Sequence, residues 1–344
     1  MASHRIDHVK NIALDRPMDF MAEMQIYVVS LPDRQSRRMG MKILLATLGL
    51  HFVYFDAMPL TILWSILDWV KKIRSSKGFR DSADTATLSD DAHTLFSWPE
   101  HIEDIANFNQ EIPLLSSDVW ELPTSPPPYQ PLTCNKRNYD MPDFSPGSIP
   151  EHMRLTPARV ACWHSHLSVI HQHANAALSG ADSVALILED DIDMEKDIVD
   201  QMKSLWSDLP DDWDMCYLGH CWSDEARGPL LVQNTSGVAN TTSYGSRIHL
   251  STSPKCTHAY AISHIGARRL LLYLTYPPFA YSRAIDQAFA WLVKSGRIKS
   301  FSIVPNLAIQ RKIAVSDVKE GGVVNSKWKA ALVDGVFSTT ALSQ

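Results

Sequence analysis

Apolar residues fall in short blocks along this chain, separated by charged or helix-patterned stretches. Met24 to Leu31 (MQIYVVSL) is a β-branched, apolar run that predicts a buried strand. An arginine-bearing segment follows, and Met39 to Gly49 predicts a helix closed by glycine. His51 to Ala57 (HFVYFDA) predicts the next strand. The chain therefore opens as a βαβ unit, the usual start of an α/β sheet.

The pattern loosens from Met58 to Pro150. Within it, Leu60 to Ile73 has apolar residues at helical spacing and predicts an amphipathic helix packed on the domain; contact with a membrane surface is the less economical reading. Acidic loops and the proline-rich Thr124 to Pro131 exclude a regular helix or central strand there. Residues 58–150 are thus expected to form a long insertion within one catalytic-sized domain spanning 24–310, with 311–344 as a C-terminal tail. Regularity returns at Thr156. Ala158 to Leu178 predicts a helix, Ser183 to Leu188 (SVALIL) a buried strand, Asp193 to Leu209 an amphipathic helix, and Asp214 to Leu218 a strand. Ala259 to Ile262 precedes a helix starting near Ile265. Ile285 to Ser295 predicts another helix, and Ile298 to Val304 a closing strand.

Charge and composition remove several classes. Of 344 residues, Lys plus Arg is 32 and Asp plus Glu is 38, a net charge of −6 with 45% hydrophobic residues. That balance, without a basic stripe, argues against a nucleic-acid partner. No run of about 18 apolar residues forms a membrane span. The first twenty residues carry charges throughout and lack the apolar core of a signal peptide. Five cysteines (Cys134, Cys162, Cys216, Cys221 and Cys256) are too irregular for a CxxC zinc site; one or two disulfides are compatible with them, Cys216 and Cys221 being nearest in sequence. Asn-x-Ser/Thr sequons at Asn234 and Asn240 tilt the expected compartment toward the secretory pathway.

The sharpest chemistry is Glu189-Asp190-Asp191, directly after a buried strand. Ligands of open α/β sheets bind outside the carboxyl ends of the strands. Adjacent carboxylates there can hold Mg²⁺ or Mn²⁺ through oxygen, whereas a helix N-terminus would use the same residues as caps. Asp193 reads as the cap of the helix that follows. In Cys162-Trp163-His164-Ser165-His166, residues two apart lie about 200° around a helix axis, so His164 and His166 cannot chelate one ion. His164 reads as a packed helix histidine and Cys162 as core. Gly-rich phosphate loops are absent. Arg34, Arg37 and Arg38 follow the first strand and suit phosphate or carboxylate, or simply a solvated helix face. Asp286, at a helix start, is a cap or a base.

Taken in order, IYVVSLPDRQSRR with LGLHFVYFDA, LTPARVACWHSHLSVI, ALILEDDIDM, WDMCYLG, THAYAISHIGARRLL, AIDQAF and VPNLAIQ resemble glycosyltransferase family 25, the group that includes lipopolysaccharide and collagen galactosyltransferases. The resemblance covers Gln25 to Ala57 and Leu155 to Gln310. It departs at Ser30, where the family usually has asparagine, and in the insertion. The resemblance implies a nucleotide-diphospho-sugar transferase (GT-A type) fold, a mixed central sheet flanked by helices, and an inverting, Mn²⁺-dependent transfer of a hexose, galactose favoured, from a UDP-sugar to a glycan or glycoprotein. It implies Glu189, Asp190 and Asp191 at the metal, and Val29, Ser30, Arg34, Arg37 and Arg38 near the nucleotide. Ser165 and His166 would line the sugar pocket, with Asp286 as base. The alternative is a catalytically inactive, glycan- or partner-binding relative of the same fold.

Overall fold

The computed structural model of the chain describes residues 24–60, 66–67, 70–71, 101–108, 110–114, 132–135, 147–176, 183–231, 245–276, 279–311 and 331–337. The predicted opening is present as β1 (Gln25–Ser30), α1 (Gln35–Thr47) and β2 (Val53–Asp56). Helix α1 starts four residues before the predicted Met39, and Gly49 turns the chain at φ 67°, a backbone region that costs glycine little. Next come α2 (Ile102–Asn107), β3 (Leu132–Thr133), β4 (Arg154–Leu155), α3 (Pro157–Ala174) and β5 (Val184–Glu189). The Thr156 side chain accepts the Arg159 amide and Pro157 occupies the first turn of α3, which explains the clean start of that helix.

After β5 the structure departs from the predicted pattern. A long helix was expected from Asp193; instead the chain forms β6 (Ile192–Met194) and a shorter α4 (Ile198–Trp206). The N-cap position of α4 is Asp197, not Asp193. Asp193 is buried, and its carboxylate accepts the Met194 and Phe337 amides. Strand β7 (Met215–Cys221), β8 (Arg247–Leu250) and β9 (Lys255–Ser263) follow, then α5 (His264–Thr275), α6 (Ile285–Lys294), β10 (Ser300–Val304) and β11 (Ala308–Gln310). The segment before α5 is therefore the longest strand of the sheet.

Seven strands form one mixed sheet in the order β2-β1-β5-β9-β7-β10-β8. Strands β2, β1 and β5 are mutually parallel, β9 is antiparallel to both β5 and β7, and β10 is parallel to β7. The carboxyl ends of β1, β2, β5, β7 and β10 consequently share one edge with the amino ends of β9 and β8. Alternation along β5 sends Ala185 and Ile187 into the core under α3, α5 and α6, and Val184, Leu186 and Leu188 into the core under α1 and α4. Both faces are covered, which is why these strands read as nearly continuous apolar runs. This is an α/β fold with a mixed sheet flanked by helices, consistent with the GT-A type.

The described parts of the insertion pack on this body. Ile66, Leu67 and Val70 are buried in the α3 core, and among the described residues no helix is long and apolar enough to cross a membrane. Thr124 to Pro131 and both sequons lie outside the described residues. Buried Arg268 fastens α2, its guanidinium donating to the carbonyls of Ala106 (2.6 Å), Ala174 (3.0 Å), Ile105 (3.2 Å), Gln110 (2.7 Å) and Phe108. Residues 331–337 are also docked: Glu195 accepts the Val333 and Asp334 amides, so this part of the expected tail belongs to the folded body.

Replacing Arg268 with Met strips a charged donor from several buried carbonyls. The variant is expected to lose at least about 2 kcal/mol of unfolding free energy, measured by urea denaturation, with proteolysis rising first around residues 101–114.

Candidate functional site

Glu189, Asp190 and Asp191 emerge from the sheet edge where five strands end. Charged groups cannot stay in a sheet core without partners, and here each carboxylate finds a different set. Asp190 accepts the Ser30 hydroxyl at 2.7 Å and the Arg37 guanidinium at 3.1 Å. Asp191 accepts Arg37 at 3.5 Å and the Gln310 amide at 3.1 Å, and its carbonyl takes the Arg311 amide at 2.6 Å. Burial first, and the Glu189 charge second, push the Asp191 carboxyl up to about 7 against the pull of Arg37. Glu189 continues the alternation of β5 toward α3. It accepts the Thr257 hydroxyl at 2.6 Å and faces His166 Nε2 at 3.5 Å. Burial opposes ionisation of Glu189, but His166 and Thr257 outweigh it and hold the carboxyl below its ordinary value. The three carboxylates thus divide: Asp190 and Asp191 share Arg37, while Glu189 turns to the helix side.

The arginines behind β1 separate in the same way. Arg37 joins the two aspartates. Arg38 donates to the Ser30 carbonyl at 2.8 Å and to Asp56, and its guanidinium lies 4.7 Å from the centre of the Tyr54 ring. Arg34 occupies the N-cap position of α1 without capping it through its side chain. Val29 is buried in β1, in register with Glu189. Ser30 and Val29 therefore bring the end of β1 beside the acidic motif, as parallel pairing of β1 with β5 requires.

On α3, neighbouring residues go separate ways because each is about 100° from the next. His164 is buried and contacts the Tyr281 hydroxyl at 3.1 Å; burial lowers its pKa to about 4, so it is a neutral packed histidine. Ser165 is committed to backbone, donating to the Ala161 carbonyl at 2.7 Å and accepting the Met58 amide at 2.9 Å. His166 reaches Glu189 with one nitrogen and the Tyr260 hydroxyl with the other, at 3.0 Å. Cys162 sits one turn before His166 and shares its face. Its thiol is raised by burial and then by the charges of Glu189 and Asp286. Partly buried, it packs against the core as expected, and its thiol also lies beside His166 and Glu189. The Cys162-x₃-His166 spacing was the available signal for that.

Asp286 comes from the first turn of α6. Its carboxylate accepts the Gln287 amide at 2.8 Å and the Cys256 backbone N–H, with the Lys255 charge nearby. Burial outweighs these and, with the Glu189 charge, raises its pKa. Cys221 is bonded to Cys256 across the β7–β9 pair, not to Cys216 of its own strand. Cys216 remains a free, buried thiol; with both on one extended strand, the five-residue separation puts the two about 16 Å apart, beyond disulfide reach. Trp222 (φ 53°) and Cys256 (φ 67°) hold left-handed backbone beside this bridge, and such strain tends to gather at functional sites. Thr257, Tyr260 and Gln310 were not singled out by sequence. They arrive through antiparallel β9 and through β11, which pairs with β6.

Residues 135–287 match the family model described as glycosyltransferase family 25 (LPS biosynthesis protein). The matched segment contains Ser165, His166, Glu189, Asp190, Asp191 and Asp286, while the β1–α1 residues lie outside it. No curated protein matches the chain.

Because the Asp191 pKa lies above the ordinary carboxylate value, its contribution to stability is present below that value and is lost as pH rises through about 7. Asp191→Asn is therefore expected to stabilise the metal-free protein near neutral pH by about 1–3 kcal/mol, several degrees in Tm. Thermal scans across pH 5–8 (a range of about three units, chosen to bracket the titration) check it. An unchanged pH dependence of Tm in the variant would contradict the assignment.

Proposed function

We propose, from the premise that this chain is a glycosyltransferase with the family 25 signature over residues 135–287, that it moves a hexose from a UDP-sugar to a hydroxyl of a glycan or glycoprotein with inversion at the anomeric carbon. Galactose is the donor sugar that the family resemblance favours. The observation carrying this reading is the set of four carboxylates at one sheet edge, divided into an arginine-bound pair and a pair whose proton affinities diverge.

The arginine-bound pair fits a hard divalent cation. Asp190 and Asp191 offer oxygen donors alone, and burial, joined by the Glu189 charge, raises Asp191 despite Arg37, so its ionised form gains from a cation. These two residues would hold Mn²⁺; Glu189 faces away from Arg37 and belongs to the sugar side. When bound, the ion supplies neutralisation of the diphosphate that leaves with UDP. Ser30, with Val29, would meet the nucleoside, and Arg37 and Arg38 would steer phosphate toward that edge, with Arg34 at the mouth of α1.

The diverging pair divides the remaining work. Glu189, held ionised by His166 and Thr257, is suited to accept hydrogen bonds from donor-sugar hydroxyls. Asp286, whose affinity for a proton is raised, is suited to be the base. It would take the proton of the acceptor hydroxyl as that oxygen bonds to the anomeric carbon and the bond to UDP breaks. Ser165 contributes by tying α3 to Met58 at the start of the insertion.

Calorimetric titration of UDP with and without Mn²⁺ tests the nucleotide half. Binding is expected only with the metal, and Asp191→Ala is expected to abolish it without unfolding the chain. Wild-type protein that binds no UDP in either condition would sink the reading and favour a glycan-binding relative. For the base, Asp286→Asn is expected to keep Mn²⁺-dependent UDP binding while kcat falls about 10²–10⁴-fold. In the wild type, kcat should rise with pH through a value above the ordinary carboxylate range, and that limb should vanish in the variant.

A further inference from the structure

Glu189 has a second set of neighbours that sugar transfer does not require. Among the described residues, Cys162, His166 and Glu189 bring a thiol sulfur, an imidazole nitrogen and a carboxylate oxygen within 4.8 Å of one another. Cys162 and His166 stand one turn apart on α3, so their side chains project from one face. Glu189 meets them from the end of β5. The Tyr260 hydroxyl sits 3.0 Å from His166 Nδ1 and so orients the ring with Nε2 toward Glu189, 3.5 Å away. An outer hydrogen bond of this kind is the usual support of a metal-bound imidazole. Thr257 touches both remaining donors, giving its hydroxyl to Glu189 at 2.6 Å and contacting Cys162.

We propose that Cys162, His166 and Glu189 form a site for a thiophilic divalent cation of the Zn²⁺ class, distinct in chemistry from the oxygen pair Asp190 and Asp191. One thiolate, one carboxylate and one neutral imidazole balance a doubly charged ion, and the thiol proton leaves to solvent as the sulfur binds. Three protein donors leave a fourth tetrahedral position for water or another small ligand. Sulfur and nitrogen favour Zn²⁺ or Co²⁺ over Mn²⁺ and Mg²⁺, whereas Asp190 and Asp191 have the opposite preference. The site goes beyond the transfer reaction proposed above and stands or falls without it. An ion seated here engages Glu189 and His166, so it competes with the donor sugar for them.

The test uses the full chain carrying C134S and C216S, which leaves Cys162 as its free thiol beside the Cys221–Cys256 bridge. Titration with Co²⁺ alone is expected to give a one-to-one complex with a thiolate-to-cobalt charge-transfer band that Zn²⁺ removes. Adding Cys162→Ser should abolish the band, with near-ultraviolet circular dichroism reporting on folding. Tyr260→Phe should keep the band and weaken Co²⁺ binding about 10–100-fold. Absence of the band in the protein that retains Cys162, or a Tyr260→Phe variant binding Co²⁺ as tightly as its parent, would overturn the site whatever the folding of the Cys162 variant. Mn²⁺-dependent UDP binding, measured separately, reports on the transferase reading alone.

Discussion

Carrying carboxylates out of an apolar sheet is the constraint around which this molecule is arranged. Strand β5 is buried on both faces up to Leu188, and the next three residues are acidic. Each must find a donor within a residue or two of the sheet edge, since an unpaired buried charge costs several kcal/mol (of order, after relaxation). Parallel pairing of β1 with β5 delivers Ser30 and, one helical turn into α1, Arg37. Antiparallel β9 delivers Thr257, and α3 delivers His166. Partner supply depends on topology: a sheet edge that collects five strand ends and the starts of two antiparallel strands offers enough donors for three adjacent carboxylates.

Division of the acidic motif follows from the pleat. Successive strand residues point to opposite faces, so Glu189 falls to the α3 side and is kept ionised by His166 and Thr257. Asp190 and Asp191, past the last sheet pairing, bend toward α1 and share a single guanidinium. Two environments result within three residues, one holding a carboxyl below its ordinary value and one pushing another to about 7. Asp286 adds a further carboxyl raised by burial. Groups with proton affinities pushed apart in this manner are what a displacement with a base and a charged leaving group uses.

The insertion is integrated with the body at the points where it is described. Arg268 gathers carbonyls from the end of α2, from the residues just after it and from the end of α3, Ser165 holds the Met58 amide, and Ile66, Leu67 and Val70 fill the core beneath α3. Side-chain hydroxyls and guanidinium groups satisfy backbone groups that irregular chain would otherwise leave unpaired. The segment 331–337 is treated likewise by Asp193 and Glu195. Asp193, which the sequence suggests as a helix cap, is here a receptor for a distant amide, as is Glu195.

Local pattern determined a good deal by itself. The opening βαβ unit, the buried strand ending in Glu189-Asp190-Asp191, α3 and the helix carrying Asp286 all follow from periodicity and helix-start signals, because those signals act over a few residues. Order of motifs along the chain pointed to the glycosyltransferase family. What tertiary structure decided were the pairings between distant segments. Strand β9 reads weakly because it joins the sheet against both neighbours and draws its stability from them. A helix from Asp193 gave way to β6 because β11 pairs with that segment across more than a hundred residues (roughly, on the scale where loop closure rather than propensity governs). Whether Cys221 bonds Cys216 or Cys256, whether Glu189 sides with Asp190 or with Cys162 and His166, and whether Asp191 is ionised near neutral pH all depend on which chain segments the sheet brings together. Side-chain identity supplies the donors, but distance and burial, which only the fold creates, set what those donors do.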